Sequence, residues 1–243
     1  MGQVILDRLT FIDSANPEEI REIAQWGCVK GITTNPKIML NANKSQSREE
    51  LLDSILNVAD EFSIPHVSVE LTASRDFKAL VKEAEMLNDL SDLTVIKVPM
   101  FTDGLGLRLI SELYDRSIVT NATCLMSFNQ AMLAAQSGAD YVSLFYRRIC
   151  DYHKVVDTAQ QIVSDVRNYI DEMNHVCIDD ITQLICGSIR SVKDVEDCMI
   201  AGAHIVTVPY KIFKELPNHI KTDEAIKEFD DSWVEFQRNI KTP

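Results

Sequence analysis

Short apolar runs alternate eight times with longer amphipathic stretches along the chain, and this order predicts an α/β protein: a single (β/α)8 (TIM) barrel with an additional C-terminal helix. Three observations carry the prediction. The short runs are β-branched and apolar on both faces, as strands buried between a core and a layer of helices must be. Each run is followed by a helical pattern, which implies parallel strands joined by right-handed crossovers. Eight such units in 243 residues suit a sheet that closes on itself. A doubly wound open sheet is the runner-up, but no GxGxxG follows the first run.

Taken in order, the first strand is Thr10–Asp13, followed by a helix over Pro17–Trp26. Asn16 is placed to cap that helix, Pro17 suits its first position, and Glu18 and Glu19 suit its positive N-terminal dipole. Val29–Thr33 precedes a helix over Ser47–Glu61, and His66–Leu71 precedes Arg75–Leu87. Thr94–Val98 precedes Gly104–Tyr114, Ile118–Thr123 precedes Ser127–Gln136, and Tyr141–Phe145 precedes His153–Asn168. Gln183–Cys186 precedes Val192–Ile200, and Ile205–Val208 precedes Tyr210–Leu216. In Ser137-Gly138-Ala139-Asp140 and Ala201-Gly202-Ala203-His204 a glycine ends a helix just before a strand begins. With no linker-like or low-complexity stretch, residues 1–243 read as one domain. Residues 222–240 form a ninth helical pattern carrying Phe229, Trp233 and Phe236, which packs on the barrel or reaches a neighbouring subunit.

Composition narrows the partners. The formal net charge is −13, so the surface repels nucleic acid and anionic membranes, and neither is expected as a partner. An anionic substrate would need arginine or lysine placed locally in loops. The six cysteines (Cys28, Cys124, Cys150, Cys177, Cys186, Cys198) show no CxxC spacing and read as free, mostly buried thiols of a reducing compartment. The five histidines lack paired-ligand spacing, so no metal is expected, and no organic cofactor either. Met1–Leu9 has no signal-peptide pattern and no apolar run nears the ~20 residues of a membrane span, so a cytoplasmic location is expected.

In a barrel of this kind chemistry sits where the strands end. The polar residues there are Asp13, Thr33-Thr34-Asn35, Glu70, Lys97, Asn121 with Thr123, Ser143 followed by Phe145, Arg147 and Arg148, and Ser188-Ile189-Arg190; the eighth strand ends at Pro209 with no evident polar group. Lys97, inside Val95-Ile96-Lys97-Val98-Pro99, is the most informative. Burial disfavours a charged ammonium, and a neutral amine can attack a ketone to form a Schiff base. A lysine paired with a carboxylate on an edge strand is the other reading; the company of Asp13 and Glu70, both able to move protons, favours the catalytic one. Arg148 with Ser188 and Arg190 suits an anion site in the loops after strands six and seven.

These phrases resemble the transaldolases, particularly the short single-domain members that include fructose-6-phosphate aldolase-like enzymes. The resemblance runs in order through Phe11-Ile12-Asp13-Ser14-Ala15-Asn16, Gly31-Ile32-Thr33-Thr34-Asn35-Pro36, Ile96-Lys97-Val98-Pro99, Asn121-Ala122-Thr123, Gln130-Ala131, Ser137 to Ser143, Phe145 with Arg148, and Gly187-Ser188-Ile189-Arg190. It implies that Lys97 forms the imine with a donor ketose. Asp13 then exchanges the proton that drives carbon–carbon cleavage, and Glu70 and Thr123 hold a proton-shuttling water. It further implies that Asn35, Asn121 and Ser143 bind hydroxyls, with Thr33 and Thr34 beside them, and that Arg148, Ser188 and Arg190 hold a terminal phosphate. No metal or cofactor is implied, and other small members assemble as rings of five or ten subunits.

True transaldolases resemble this chain in having glutamate at position 70 and phenylalanine at 145, where aldolase-type relatives tend to have glutamine and tyrosine. A phenylalanine keeps the enamine dry until an acceptor arrives, which favours a transferase over a lyase that releases free dihydroxyacetone. The chain departs from the family pattern at Leu144, where proline is usual, and at Tyr146-Arg147, where small residues are usual. A sulfonated ketose, such as 6-deoxy-6-sulfofructose, is therefore an alternative donor to fructose 6-phosphate. A non-catalytic barrel that binds a sugar phosphate is the alternative from another class.

Overall fold

The computed structural model describes residues 8–42, 45–72, 75–176 and 181–240. Cys177 and the opening stretch as far as Asp7 lie outside the described residues. The described chain falls into two compact units, one reaching to Phe213 and one starting at Lys214.

The first unit is a closed parallel barrel whose strands lie in chain order. They are β1 (Leu9–Asp13), β2 (Val29–Thr33), β3 (Val67–Glu70), β4 (Thr94–Pro99), β5 (Thr120–Leu125), β6 (Tyr141–Phe145), β7 (Gln183–Gly187) and β8 (Ile205–Pro209). The ring closes where β8 pairs with β1, setting Asp13 beside Pro209 and Phe11 beside Thr207. Side chains alternate along a strand, so Ile12, Ile32, Val69, Ile96, Val142 and Val206 face outward and are buried beneath the helices. The interior is filled by Phe11, Ile185 and Ile205, with Leu9 and Tyr141 against them. The ring of His66 sits in the same layer, its centroid 4.7 Å from those of both Phe11 and Tyr141. Gly31 makes room for this packing, since a Cβ there would lie 2.5 Å from the Phe11 ring.

The helices around the barrel are α1 (Pro17–Ala24), α2 (Pro36–Ala42), α3 (Arg48–Glu61), α4 (Phe77–Asn88), α5 (Leu105–Asp115), α6 (Phe128–Gln136), α7 (Tyr146–His153), α8 (Val156–Val176), α9 (Val192–Ile200) and α10 (Tyr210–Phe213). Asn16 caps α1 by accepting a hydrogen bond from the Glu18 amide, with Pro17 in the first turn. Gly138 and Gly202 end their helices at φ 93° and 99°, a region only glycine enters without strain.

The structure departs from the sequence reading in three places. Asn35 accepts from the Ile38 amide and starts a short helix, α2, where no helix is predicted. The stretch after β6 is two helices, not one: α7 begins directly at the strand end, and Lys154 at φ 57° separates it from α8. The fifth strand runs two residues later than predicted. Cys124, at φ 63°, sits where the β5–β6 register shifts. Cys150, Cys186 and Cys198 are buried, Cys124 is half-buried and Cys28 is exposed, all of them free thiols.

The second unit is dominated by one helix, α11 (Ile220–Ile240), in which no residue is buried. Ile226, Phe229, Trp233, Phe236 and Ile240 recur at spacings of three and four and are all exposed. The Trp233 and Phe236 rings stack at 5.6 Å.

Candidate active site

One cavity at the carboxyl ends of the strands collects side chains from seven of them. It is lined by Asp13, Thr33, Asn35, Lys97, Thr123, Ser143, Phe145, Arg148, Gly187, Ser188 and Thr207. A larger cavity, about 610 Å³, opens near the α6–β6 connection between Tyr114, Gln136 to Asp140 and Tyr169. It is lined by no amine or thiol, whereas the smaller cavity is lined by Lys97.

Lys97 lines the smaller cavity and is only 5% exposed. The β3–β4 register places Glu70 directly beside it. The Lys97 Nζ donates to the Thr34 carbonyl at 2.8 Å and lies 3.6 Å from Glu70 Oε2. The amine is thus held by one hydrogen bond, with a proton acceptor in reach. The Thr34 side chain takes no part in the cavity: its hydroxyl donates to the Ser68 carbonyl and so fixes the carbonyl that holds Lys97.

Asp13 ends β1 on the same rim. Burial pushes its carboxyl above the ordinary carboxylate range, against the opposing pull of the Lys97 charge and the Thr33 hydrogen bond. Thr33 Oγ1 donates to Asp13 Oδ1 at 2.7 Å. That uses the only hydroxyl proton of Thr33, so Thr207 must donate across the 2.5 Å contact to Thr33 Oγ1. Thr207 is a correction to the reading that strand eight brings no polar group. It lies two residues before the strand end, with the same facing as Pro209, and period-two parity was the signal that identifies it.

Beneath the cavity runs a buried chain. Ser143 Oγ donates to Asn121 Oδ1 at 2.7 Å, Asn121 Nδ2 donates to Ser68 Oγ at 3.0 Å, and Ser68 Oγ meets His66 Nε2 at 2.6 Å. Ser68 Oγ thus joins Asn121 to the His66 ring, whose buried Nδ1 has no hydrogen-bond partner among the described residues. Burial, reinforced by the Lys97 charge, lowers the His66 pKa to about 3, so the ring is neutral. Asn121 is fully buried and fixed from both sides. Neither His66 nor Ser68 stands out in the sequence except by sharing the facing of Glu70. Among the described residues the buried Thr123 Oγ1 has no hydrogen-bond partner, and it lines the cavity. A bound polar molecule would satisfy it.

At the other end of the cavity are Arg148, its guanidinium 5.3 Å over the Phe145 ring, and Ser188, held at φ 62°. A non-glycine residue at positive φ is strained, and such strain concentrates at binding sites. Arg190 does not line the cavity; it pairs with Asp151 at 2.8 Å. Arg147 points to Asp194 at 3.6 Å, and Tyr146 is fully buried with its hydroxyl 3.4 Å from Asp197. The two residues that set this segment apart in sequence therefore pack against α9 and do not enter the cavity.

A closed barrel with a buried lysine, two carboxylates and an arginine pocket on its carboxyl rim defines the class of protein as a barrel enzyme. The family described as Transaldolase/Fructose-6-phosphate aldolase matches residues 10–241. The chain is 37% identical over 220 residues to a probable transaldolase of Clostridium tetani, covering 90% of this chain and 94% of that relative. It is 36% identical to probable transaldolases of Alkaliphilus metalliredigens and Thermoplasma acidophilum, each covering 92% of this chain and 96% and 94% of the respective relative. The chain belongs to the transaldolase/fructose-6-phosphate aldolase family. Among the described residues no helix is long and apolar enough to cross a membrane.

Proposed function

We propose that this protein is a transaldolase that moves a dihydroxyacetone unit from a six-carbon ketose bearing a terminal oxyanion to an aldose phosphate, through an imine on Lys97. The observation that carries this reading is one buried amine, 3.6 Å from the Glu70 carboxylate, that shares a cavity with Asp13 and Arg148. Lys97, having passed a proton to Glu70, attacks the donor's C2 carbonyl; loss of water, with Thr123 and Glu70 moving protons, gives the iminium. Asp13 takes the proton of the C4 hydroxyl, the C3–C4 bond breaks, and its electrons flow into the iminium as an enamine while an aldehyde leaves. The acceptor aldehyde then reacts in the reverse sense, and water releases the new ketose. Asn35 and Ser143, which line the cavity, are the partners for the three-carbon hydroxyls, with Asn121 beneath orienting Ser143, and Arg148 with Ser188 meets the terminal oxyanion, with Arg190 near at hand. The donor is fructose 6-phosphate or its 6-deoxy-6-sulfo analogue, in carbohydrate metabolism.

The experiment is borohydride reduction in the presence of each donor, with and without an acceptor aldehyde. A stable mass added at Lys97, absent in Lys97→Met, is the expected result; intact protein with no adduct sinks the reading. Phe145 presents no hydroxyl to the enamine, which favours transfer over release, so turnover is expected to stall without an acceptor. Steady release of dihydroxyacetone would instead mark a lyase. In a barrel that only binds sugar phosphates, Lys97→Met would keep its ligand and there would be no activity to lose.

A further inference from the structure

Two guanidiniums and two carboxylates meet beside Arg148, at the anion end of the cavity. Arg147 lies 3.6 Å from Asp194 and 3.9 Å from Asp151. Arg190 binds Asp151 at 2.8 Å, while its backbone amide is fixed by Asp194 Oδ2 at 2.9 Å. Among the described residues Arg148 has no carboxylate partner. The group as a whole therefore carries about one net positive charge, and it is Arg148 that faces the cavity.

Asp151 is well placed to control this balance. Arg148 and Asp151 stand three residues apart on α7, which puts them one above the other on one helix face. Arg190, drawn onto Asp151, thus waits about one turn from Arg148, two residues beyond Ser188 of the cavity wall. The Arg190 and Asp151 side chains are about half exposed, so breaking their pair costs little.

We propose that Asp151 sets the charge the anion pocket offers. It holds Arg190 aside until a doubly charged terminal group draws the guanidinium across. A singly charged sulfonate is then met by Arg148 alone, and a phosphate monoester by Arg148 and Arg190 together. Asp151 is a positioning residue that tunes phosphate against sulfonate, and this rests on the reading of the Arg148 pocket as the site of the substrate's terminal oxyanion.

The test uses the full chain and two three-carbon probes, glycerol 3-phosphate and 2,3-dihydroxypropane-1-sulfonate, with binding measured by calorimetry at about pH 8, where the monoester is doubly charged. Asp151→Asn is expected to tighten glycerol 3-phosphate about fivefold and the sulfonate by less than about twofold, the size expected for releasing a half-exposed ion pair. In an Arg190→Gln background the same substitution should change neither. An Asp151→Asn effect that is nil, reversed, equal for the two probes, or undiminished without Arg190 overturns the proposal. Arg148→Gln separates the two failures: if it leaves glycerol 3-phosphate binding intact, or if the wild-type protein binds no probe, the pocket reading itself is wrong. Loss of binding in Arg148→Gln beside a neutral Asp151→Asn refutes the Asp151 proposal alone.

Discussion

At the scale of single residues, the barrel interior contains groups whose charge the fold suppresses. His66 is wedged between Phe11 and Tyr141 and is neutral because burial lowers its pKa from 6.5 to about 3. The sign of the consequence follows from linkage. The unfolded chain takes up the proton near pH 6.5 and the folded chain does not, so the stabilisation is full above that pH and is lost as pH falls toward 3. Each pH unit in this window costs up to about 1.4 kcal/mol. His66→Gln retains a hydrogen-bond partner for the Ser68 hydroxyl but cannot titrate. Denaturant unfolding at a series of pH values between about 6.5 and 4 should therefore show a shallower loss of stability in the variant. Equal slopes in the two proteins would mean that His66 does not differ between the folded and unfolded states.

At the scale of elements, adjacent strands settle which backbone can approach which ring. Gly31 on β2 faces the Phe11 ring of β1, and a methyl group there would overlap the ring at 2.5 Å. The φ of Gly31 is not in the left-handed region, so the demand is for space and not for backbone freedom. Gly31→Ala is expected to destabilise by about 1–3 kcal/mol, the range for overpacking a filled core, since Phe11 has Ile185 and Ile205 behind it. The midpoint of urea unfolding measures it, and an unchanged midpoint would show that the ring shifts freely. Ser188 in the cavity wall and Cys124, next to the cavity residue Thr123, are both at positive φ near strand ends. There the chain gives up regular pairing to aim a side chain.

At the scale of the whole molecule, α11 carries an apolar stripe with no buried residue. Such a stripe, Ile226-Phe229-Trp233-Phe236-Ile240, is stable in water only when something covers it. A role for the stripe in self-association makes a testable demand. Phe229→Ser with Trp233→Ser should lower the mass found by sedimentation, with the far-ultraviolet dichroism of the barrel retained. An undiminished mass would assign the stripe another role. The net charge of −13 acts at the same scale: an anion approaching this surface is attracted only where cations such as Arg148 stand locally.

The sequence by itself determined the barrel, its eight strands in order, the α1 cap and the glycines at 138 and 202, because these depend on periodicity and on backbone preferences that a few neighbouring residues express. It also determined the polar strand ends, because in a parallel barrel every strand delivers its last inward residue to the same rim. Only the tertiary structure decided what those residues do to one another. Thr33 and Thr207 are 174 residues apart and meet because β8 closes on β1. The Thr34 carbonyl holds Lys97, His66 is linked to Asn121 through Ser68, and Asp151 pairs with Arg190. Hydrogen bonds and ion pairs are short-ranged and directional, so they exist only once ring closure has set the distances, and nothing in the local pattern of a chain encodes a distance across the ring.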